Sequence, residues 1–165
     1  MDPTEDMLDP MTEQDIDEAA ALVAKAMNAD EGRWAARTMR FHFGCKTHGL
    51  DDGRAYFVWR QQGGITGIVG LHHTIWGPEQ NVWLAWFAVD PICQGQGLGR
   101  RLLAAIEKIA VDRDFAHLLV ETYEHADFDK ARRFYERNGF ARAGEIANYL
   151  PDGSAMVVYA KFIRQ

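Results

Sequence analysis

A strand that runs directly into a glycine-rich turn and then into a helix sets the narrowest limits on the fold of this chain. Residues 82–89 are almost continuously apolar, which is typical of a strand buried on both faces. Glycines follow at positions 95, 97 and 99, and apolar residues at helical spacing between Leu98 and Ile109 predict an amphipathic helix. Because glycine permits unusual backbone dihedral angles, successive N–H groups in such a turn can converge on one point. The partial positive charge of a helix N-terminus adds to this, so the segment predicts a site for a phosphate or pyrophosphate.

Two common phosphate-binding motifs do not fit this segment. In the dinucleotide-binding fingerprint the third glycine stands three positions after the second, where this chain has Arg100. The P-loop requires Gly-Lys followed by Ser or Thr, a combination that the sequence does not contain. The turn therefore predicts phosphate binding of another kind, to which Arg100 and Arg101 can add a guanidinium group.

The rest of the chain predicts an α+β domain. The strands at 82–89 and 115–122 flank the glycine-rich turn and its helix, so they are expected to be parallel neighbours. A turn at 61–64 joins two strands into a hairpin. Strands are predicted at 55–60, 65–75, 141–149 and 155–162, and further helices from Ile16 to Met27, from Glu31 to Phe43 and from Asp127 to Asn138. Residues 1–165 are thus predicted to form a single domain, built on a mixed, mostly antiparallel sheet flanked by helices.

Composition and charge exclude several classes of function. The 165 residues include 18 Lys and Arg against 24 Asp and Glu, a formal net charge of −6 with His neutral, which argues against a nucleic-acid binder. No run approaches the ~20 apolar residues of a membrane span. The first six residues lack the basic start and apolar stretch of a secretory signal. Neither the two cysteines, Cys45 and Cys93, nor the histidines have metal-ligand spacing, so no metal site is predicted and the expected location is cytoplasmic.

Three motifs, in the order found here, resemble the GNAT superfamily of N-acetyltransferases. The cofactor motif of that family, Gln/Arg-x-x-Gly-x-Gly/Ala, is matched by Gln94, Gly97 and Gly99. The preceding strand of the family commonly ends in an apolar residue followed by Ala-Val-Asp-Pro, which is the sequence of residues 87–91. A later helix usually carries Phe/Leu-Tyr-x-x-x-Gly-Phe, which residues 134–140 match. Together these motifs are far more specific than a glycine-rich turn alone.

The resemblance extends from about Tyr56 to the C-terminus, and it implies both a GNAT-like fold and a co-substrate, acetyl-CoA. In this family the two parallel strands splay apart, and the pantetheine arm enters the gap and pairs with the backbone of the first strand. The pyrophosphate rests on the backbone amides of the glycine-rich turn. The residues implied to bind acetyl-CoA are Phe87, Ala88, Val89, Gln94, Gly95, Gln96, Gly97, Leu98, Gly99 and Arg100.

The catalytic groups follow only in part from this resemblance. Acetyl transfer to an amine needs a neutral nucleophile, a polarised thioester carbonyl and a proton for the leaving thiolate. The resemblance implies that Tyr135 is the general acid, since a phenol stays protonated at neutral pH; packing of Tyr135 in the core is the other interpretation. Many relatives carry a glutamate where this chain has Ala85, so the general base stays open. Its candidates are Glu121, His72, His73 and a water molecule alone. Glu121 lies at the end of the neighbouring strand, where it can act as a catalytic base through a water molecule; a surface or structural role is the other interpretation.

The expected reaction is direct attack of an amine on acetyl-CoA in a ternary complex, by a monomer or a homodimer. The segment from Asp15 to Asp52 precedes the cofactor strands and is expected to help form the acceptor site. The acidic balance favours a cationic small-molecule or peptide amine, and argues against nucleic acid. Two other hypotheses remain: a non-catalytic acyl-CoA-binding sensor or interaction module, and a nucleotide-dependent enzyme that uses the same turn.

Overall fold

One seven-stranded sheet with two helices on each face makes up residues 8–164, the part of the chain that the computed structural model describes. The helices are α1 (Ile16–Ala26), α2 (Ala29–Thr47), α3 (Leu98–Asp112) and α4 (Asp129–Arg137). The strands are β1 (Leu8–Pro10), β2 (Arg54–Gln61), β3 (Gly64–His72), β4 (Asn81–Val89), β5 (His117–Tyr123), β6 (Ala141–Ile146) and β7 (Met156–Phe162). Their order in the sheet is β1-β2-β3-β4-β5-β7-β6, and every neighbouring pair except β4–β5 is antiparallel. The predicted mixed, mostly antiparallel sheet is confirmed.

The sheet separates two apolar clusters. Alternate residues of β2 belong to different clusters, because successive side chains of a strand point to opposite faces. Tyr56 and Val58 pack with α1 and α2, whereas Phe57 and Trp59 pack on the face of α3 and α4. Within the described residues, no helix combines the length and the apolar character that a membrane span would need.

The parallel strands β4 and β5 pair only at their beginnings. Residues 81–83 of β4 lie opposite residues 117–119 of β5, and beyond them the two strands have no paired residues. Strands that twist normally stay about 4.8 Å apart along their whole length, so the loss of pairing marks a divergence. The predicted splayed pair is therefore confirmed, and a gap opens towards the C-terminal ends of both strands.

A bulge in β4 lies beside this gap. Trp86 has a φ of 54°, in the left-handed region that non-glycine residues seldom adopt. The pairing with β3 shifts register at the same place, since Ile68 lies opposite Ala88 but Gly70 lies opposite Ala85. A β-bulge bends its strand and changes where the following side chains point, so β4 turns away from regular pairing where the gap begins.

Several boundaries differ from the sequence predictions. The short strand β1 was not predicted, because three residues show no periodicity. Helix α2 is longer than the predicted 31–43, and β3 and β6 end at His72 and Ile146, earlier than predicted. Burial of β4 on both faces is wrong as well. Residues 85–87 are only partly buried, because they face a cavity rather than a packed core.

Candidate active site

The glycine-rich turn between β4 and α3 has the geometry of an anion site. Gly95 and Gly97 have φ values of 77° and 82°, and Gly97 is the left-handed residue that precedes the first turn of α3. A Cβ atom at either position would meet nothing within 4 Å, so the backbone there is open to a ligand. The first N–H groups of a helix have no hydrogen-bond partners within the helix. In α3 these groups follow Gly97 directly and so lie next to this open surface, where they can bind an anion. This is the observation that makes the turn fit a pyrophosphate.

Side chains hold the turn in place from both sides. The Gln94 amide donates to the Val89 carbonyl at 3.2 Å, and the Gln96 amide donates to the Ile92 carbonyl at 3.1 Å. The Asp90 carboxylate accepts from Lys25 of α1 at 2.9 Å. Together with the Ile92 N–H, Lys25 holds the pKa of Asp90 below its usual range.

The remaining motif residues have distinct surroundings. A Cβ atom at Gly99 would lie 3.2 Å from the Phe134 ring, so this glycine permits close approach of α3 and α4. Leu98 is buried in the core, and Arg100 is exposed at the start of α3. The Arg101 guanidinium lies 5.3 Å from the ring centre of Trp59, so it is occupied in a cation–π contact rather than directed only at the turn.

A cavity of about 550 Å³ passes through the gap between β4 and β5. Its lining includes residues from both faces of the sheet, which is possible only because the strands diverge. On the side of α3 and α4 the lining includes Phe87, Val120, Thr122, Phe128, Ala131 and Tyr135. On the side of α1 and α2 it includes Glu31, Trp34, Thr38, Arg54, Tyr56 and His72.

Two carboxyl groups, Glu31 of α2 and Glu121 of β5, line this cavity. Glu121 keeps solvent access through the cavity, yet protein atoms surround it, and this burial raises its pKa. Glu31 is only 6% exposed. Burial, and then the nearby charges of Glu121 and Asp30, raise the pKa of Glu31 to about 7. Sequence reasoning missed Glu31, although its position on the buried side of α2 with Ala35 is a signal of helical spacing.

Aromatic side chains form much of the remaining wall. Trp83 and Trp86 of β4 line the cavity, as does Trp34 of α2. Tyr123, at the end of β5, also lines it and stacks on Tyr149, with ring centres 6.0 Å apart and an interplanar angle of 19°. The cavity on the side of α2 is thus enclosed by aromatic faces with two acids between them.

Tyr135 both lines the cavity and packs in the core. The side chain is 5% exposed, and its ring contacts those of Phe87, Phe134 and Phe140. Burial raises the pKa of Tyr135, so the phenol keeps its proton throughout the neutral range. Among the described residues, no hydrogen-bond partner is found for its hydroxyl group.

The two histidines proposed as bases differ in position, as the alternation of β3 predicts. His72 lines the cavity, and burial, with the nearby Arg54 charge, lowers its pKa. His73 instead bonds through Nδ1 to the Asn81 carbonyl at 3.0 Å and packs against Phe115, away from the cavity lining. Of these two, only His72 is positioned to meet a substrate in this cavity.

The sequence identifies the family to which this chain belongs. Residues 18–140 match the sequence profile described as Acetyltransferase (GNAT) family. Because this match covers more than half of the chain, the chain belongs to that family. The resemblance seen in the three motifs is confirmed.

A curated protein is similar in sequence to this chain over most of the chain's length. A curated relative, mycothiol acetyltransferase of Corynebacterium aurimucosum, is 29% identical over 130 residues, which are 74% of this chain and 41% of that protein. The chain therefore spans about two fifths of the length of this relative.

Solved structures of the family share the fold at low sequence identity. A Desulfovibrio desulfuricans protein of the GNAT family has a TM-score of 0.83 at 22% identity, covering 96% of this chain and 99% of its own. An aminoglycoside 6'-N-acetyltransferase complexed with coenzyme A has a TM-score of 0.76 at 16% identity, covering 96% and 98%. The ribosomal-protein-S18-alanine N-acetyltransferase of Escherichia coli has a TM-score of 0.74 at 23% identity, covering 96% and 94%. At these identities the likeness shows the fold alone.

Proposed function

We propose that this protein is an N-acetyltransferase that transfers acetyl from acetyl-CoA to an amine by direct attack in a ternary complex. The observation that carries the proposal is the cavity that passes through the gap between β4 and β5. Its lining follows β4 as far as Phe87, on the strand that leads into the open turn at Gly97, and it holds Tyr135 and Glu121 on its walls. A donor and an acceptor can therefore meet at the sheet from opposite faces.

The residues at the turn and on β4 fit the binding of acetyl-CoA. The N–H groups of residues 95–100 would hold the pyrophosphate, since they surround the start of α3. The backbone of Phe87, Ala88 and Val89 would orient the pantetheine arm, because this part of β4 has no strand partner on the side of β5. When bound, acetyl-CoA supplies a thioester whose acetyl group is activated for transfer.

The proton-transfer groups follow from the cavity walls. Tyr135 would donate a proton to the leaving sulfur, since its hydroxyl stays protonated at neutral pH. Glu121 and His72 line the cavity and can receive the proton of the amine, directly or through water. His73 is left out of this proposal, because its ring is bonded to Asn81.

Coenzyme A binding to a Gly97→Glu variant tests the phosphate-binding part of the proposal. A glutamate there would place bulk and negative charge at the open turn, and its backbone would be strained at a φ of 82°. We expect the dissociation constant for coenzyme A to rise at least about tenfold, measured by titration calorimetry, with the far-UV circular dichroism spectrum unchanged. Gly63→Glu is the matched control, because Gly63 also has a positive φ and open space but lies in the hairpin turn. Equal affinity in Gly97→Glu and wild type would contradict the assignment.

Turnover separates the enzyme from a sensor. Release of free thiol from acetyl-CoA is measured with polyamine, aminoglycoside and basic-peptide acceptors. Turnover of any of these amines supports the acetyltransferase, whereas tight coenzyme A binding without turnover favours a sensor. Preferential binding of NAD or ATP over coenzyme A would instead indicate a nucleotide-dependent enzyme.

A further inference from the structure

We propose that the acceptor is an alkylammonium compound bound between Glu31 and Glu121, and that Glu31 takes a proton from its nitrogen. The inference rests on the proposed function and names the substrate class and a further catalytic residue of that same site. Both side chains line the cavity from different elements, Glu31 from the first turn of α2 and Glu121 from β5. Of the two, only Glu121 was predicted from sequence.

Glu31 is a buried acid without a partner. Its backbone N–H donates to the Asn28 side chain at 3.0 Å, which fixes the start of α2 and so the position of this residue. Its carboxyl group makes no hydrogen bond or ion pair with any described residue, although the side chain is 94% buried. An ionised carboxylate in such a place is costly unless a cation or donor meets it. A cationic ligand in the cavity would be that partner.

Two further polar groups of the same cavity are also without partners. The Tyr56 hydroxyl and the Thr122 hydroxyl are buried and make no hydrogen bond within the described residues. Buried polar groups are normally hydrogen-bonded, and those that are not call for an explanation such as a ligand. Tyr56 lies on the same side of the sheet as Glu31, so its hydroxyl is an observation independent of the acid pair that indicates a polar ligand there, whereas Thr122 faces the side of α3 and α4.

The walls and the charges of the cavity select a cation. Trp34, Trp83 and Trp86 line it, and aromatic faces attract ammonium groups. Among the described residues that line the cavity, Arg54 is the only lysine or arginine. Its guanidinium already pairs with the carboxylate of Asp52 at 3.0 Å. The acids Glu31 and Glu121 therefore have no protein cation to neutralise them within this lining.

Two carboxyl groups also match the number of protons involved. The nitrogen loses one proton on passing from ammonium to free amine, and a second as the C–N bond forms and the C–S bond breaks. Glu31 takes one of these and Glu121 the other, while Tyr135 gives its proton to the sulfur. Tyr135 then regains a proton from Glu121, so that one proton in total passes from Glu31 to solvent.

The proton affinity of Glu31 suits this role. An alkylammonium group has a pKa near 10.4 and a free glutamate near 4.3, a difference of about 6. With the pKa of Glu31 at about 7, the difference falls to about 3. The groups that face Glu31 are Asp30 of its own helix and Glu121 and Tyr123 of β5, while His72 and Arg54 line the cavity farther along. We therefore expect kcat/KM to rise with pH near 7 as Glu31 loses its proton.

The test compares acceptors of equal length with opposite charge at the far end. Wild-type protein is assayed with acetyl-CoA and 1,4-diaminobutane, butylamine or 4-aminobutanoate. We expect kcat/KM for 1,4-diaminobutane to exceed that for 4-aminobutanoate at least about tenfold. With the reacting nitrogen between Glu31 and Glu121, the far-end carboxylate would still lie in the negative field of these two acids, which no lysine or arginine of the described lining neutralises. Equal use of both acceptors would overturn the inference and leave the proposed function standing. Failure of every amine while coenzyme A still binds would overturn both.

Variants of the acids provide the second arm. Glu31→Gln should lower kcat/KM for butylamine at least about tenfold and abolish its rise with pH near 7. By calorimetry with coenzyme A present, it should also weaken 1,4-diaminobutane binding. Asp17→Asn removes an equal charge from an exposed residue of α1 that pairs with Arg40 outside the cavity lining, and it should change neither readout. If Glu31→Gln keeps the pH dependence of kcat/KM and the affinity for 1,4-diaminobutane of the wild type, the proposed role of Glu31 is contradicted, whether or not the rate of turnover changes.

Discussion

Replacing Tyr135 with phenylalanine is expected to lower kcat at least about 100-fold, since removal of a general acid or base costs about two to four powers of ten. The loss has a local cause. The hydroxyl group makes no hydrogen bond with the described residues, and its removal leaves no buried polar atom unpaired. Coenzyme A affinity and the melting temperature should therefore stay close to wild type. Steady-state kinetics, calorimetry and thermal unfolding measure the three quantities.

Tyr159→Phe is the matched control for that variant. Tyr159 is another buried phenol on the same face of the sheet, with ring centres 6.3 Å apart from Tyr135, but it does not line the cavity. Its hydroxyl donates to Glu136 at 2.8 Å, so the substitution should reduce stability by about 1 kcal/mol and leave kcat unchanged. A Tyr135→Phe enzyme with normal kcat would refute the acid role and support packing alone.

Glu31→Gln is expected to stabilise the protein, with a gain that grows with pH. The folded-state pKa of Glu31 is raised from 4.5 to about 7, so between these values the folded chain holds a proton that the unfolded chain has lost. Stability is therefore lost as pH rises through this window, by about 3 kcal/mol in total at 1.36 kcal/mol per pKa unit. Glutamine cannot ionise and avoids this cost.

Urea unfolding at pH 5 and pH 8 measures that gain. We expect Glu31→Gln to raise the free energy of unfolding by about 3 kcal/mol at pH 8 and by under about 1 kcal/mol at pH 5. Asp17→Asn, at an exposed ion pair with Arg40, should change it by less than about 1 kcal/mol at either pH. A destabilised Glu31→Gln at pH 8 would show that the carboxylate has a stabilising partner in the folded state.

If Glu31→Gln is more stable and less active than the wild type, the acid at position 31 is kept for activity at a cost in stability. Natural sequences commonly keep a destabilising group where a site needs it. Because Glu31→Gln is expected to fold at least as well as wild type, its loss of turnover could not be attributed to unfolding. Stability and activity together are thus more informative than either alone.

The glycine-rich turn and the elements on either side of it could be predicted from sequence because their information is local. The strand at 82–89, the glycines that follow it and the helix beginning at Leu98 are contiguous, and each has a recognisable period or backbone requirement. The same holds for residues 134–140, which fix Tyr135 by spacing within one helix. Periodicity also gave the sheet its correct strands apart from β1 (Leu8–Pro10).

The acceptor side could not be predicted in the same way. Glu31 and Glu121 are 90 residues apart in the sequence, and they line one cavity because the fold brings α2 and β5 to the same side of it. No spacing in the sequence records such a contact. No glycine in β4 marks the bulge at Trp86 in the sequence. The apolar run therefore predicts a fully buried strand, whereas residues 85–87 are partly exposed to the cavity. Periodicity describes a segment, whereas this half of the site depends on how distant segments pack.

The continuity of the cavity through the sheet has a consequence for inhibitor design. A compound that covalently joins a coenzyme A-like thioether to an alkylammonium head could occupy both halves at once, because no barrier of paired strands separates them. Binding of the second half would then be intramolecular, and avidity can exceed either single affinity by about 10²–10⁴ when the linker matches the span. The length of linker that gives the tightest binding would measure the distance from the pantetheine path to Glu31.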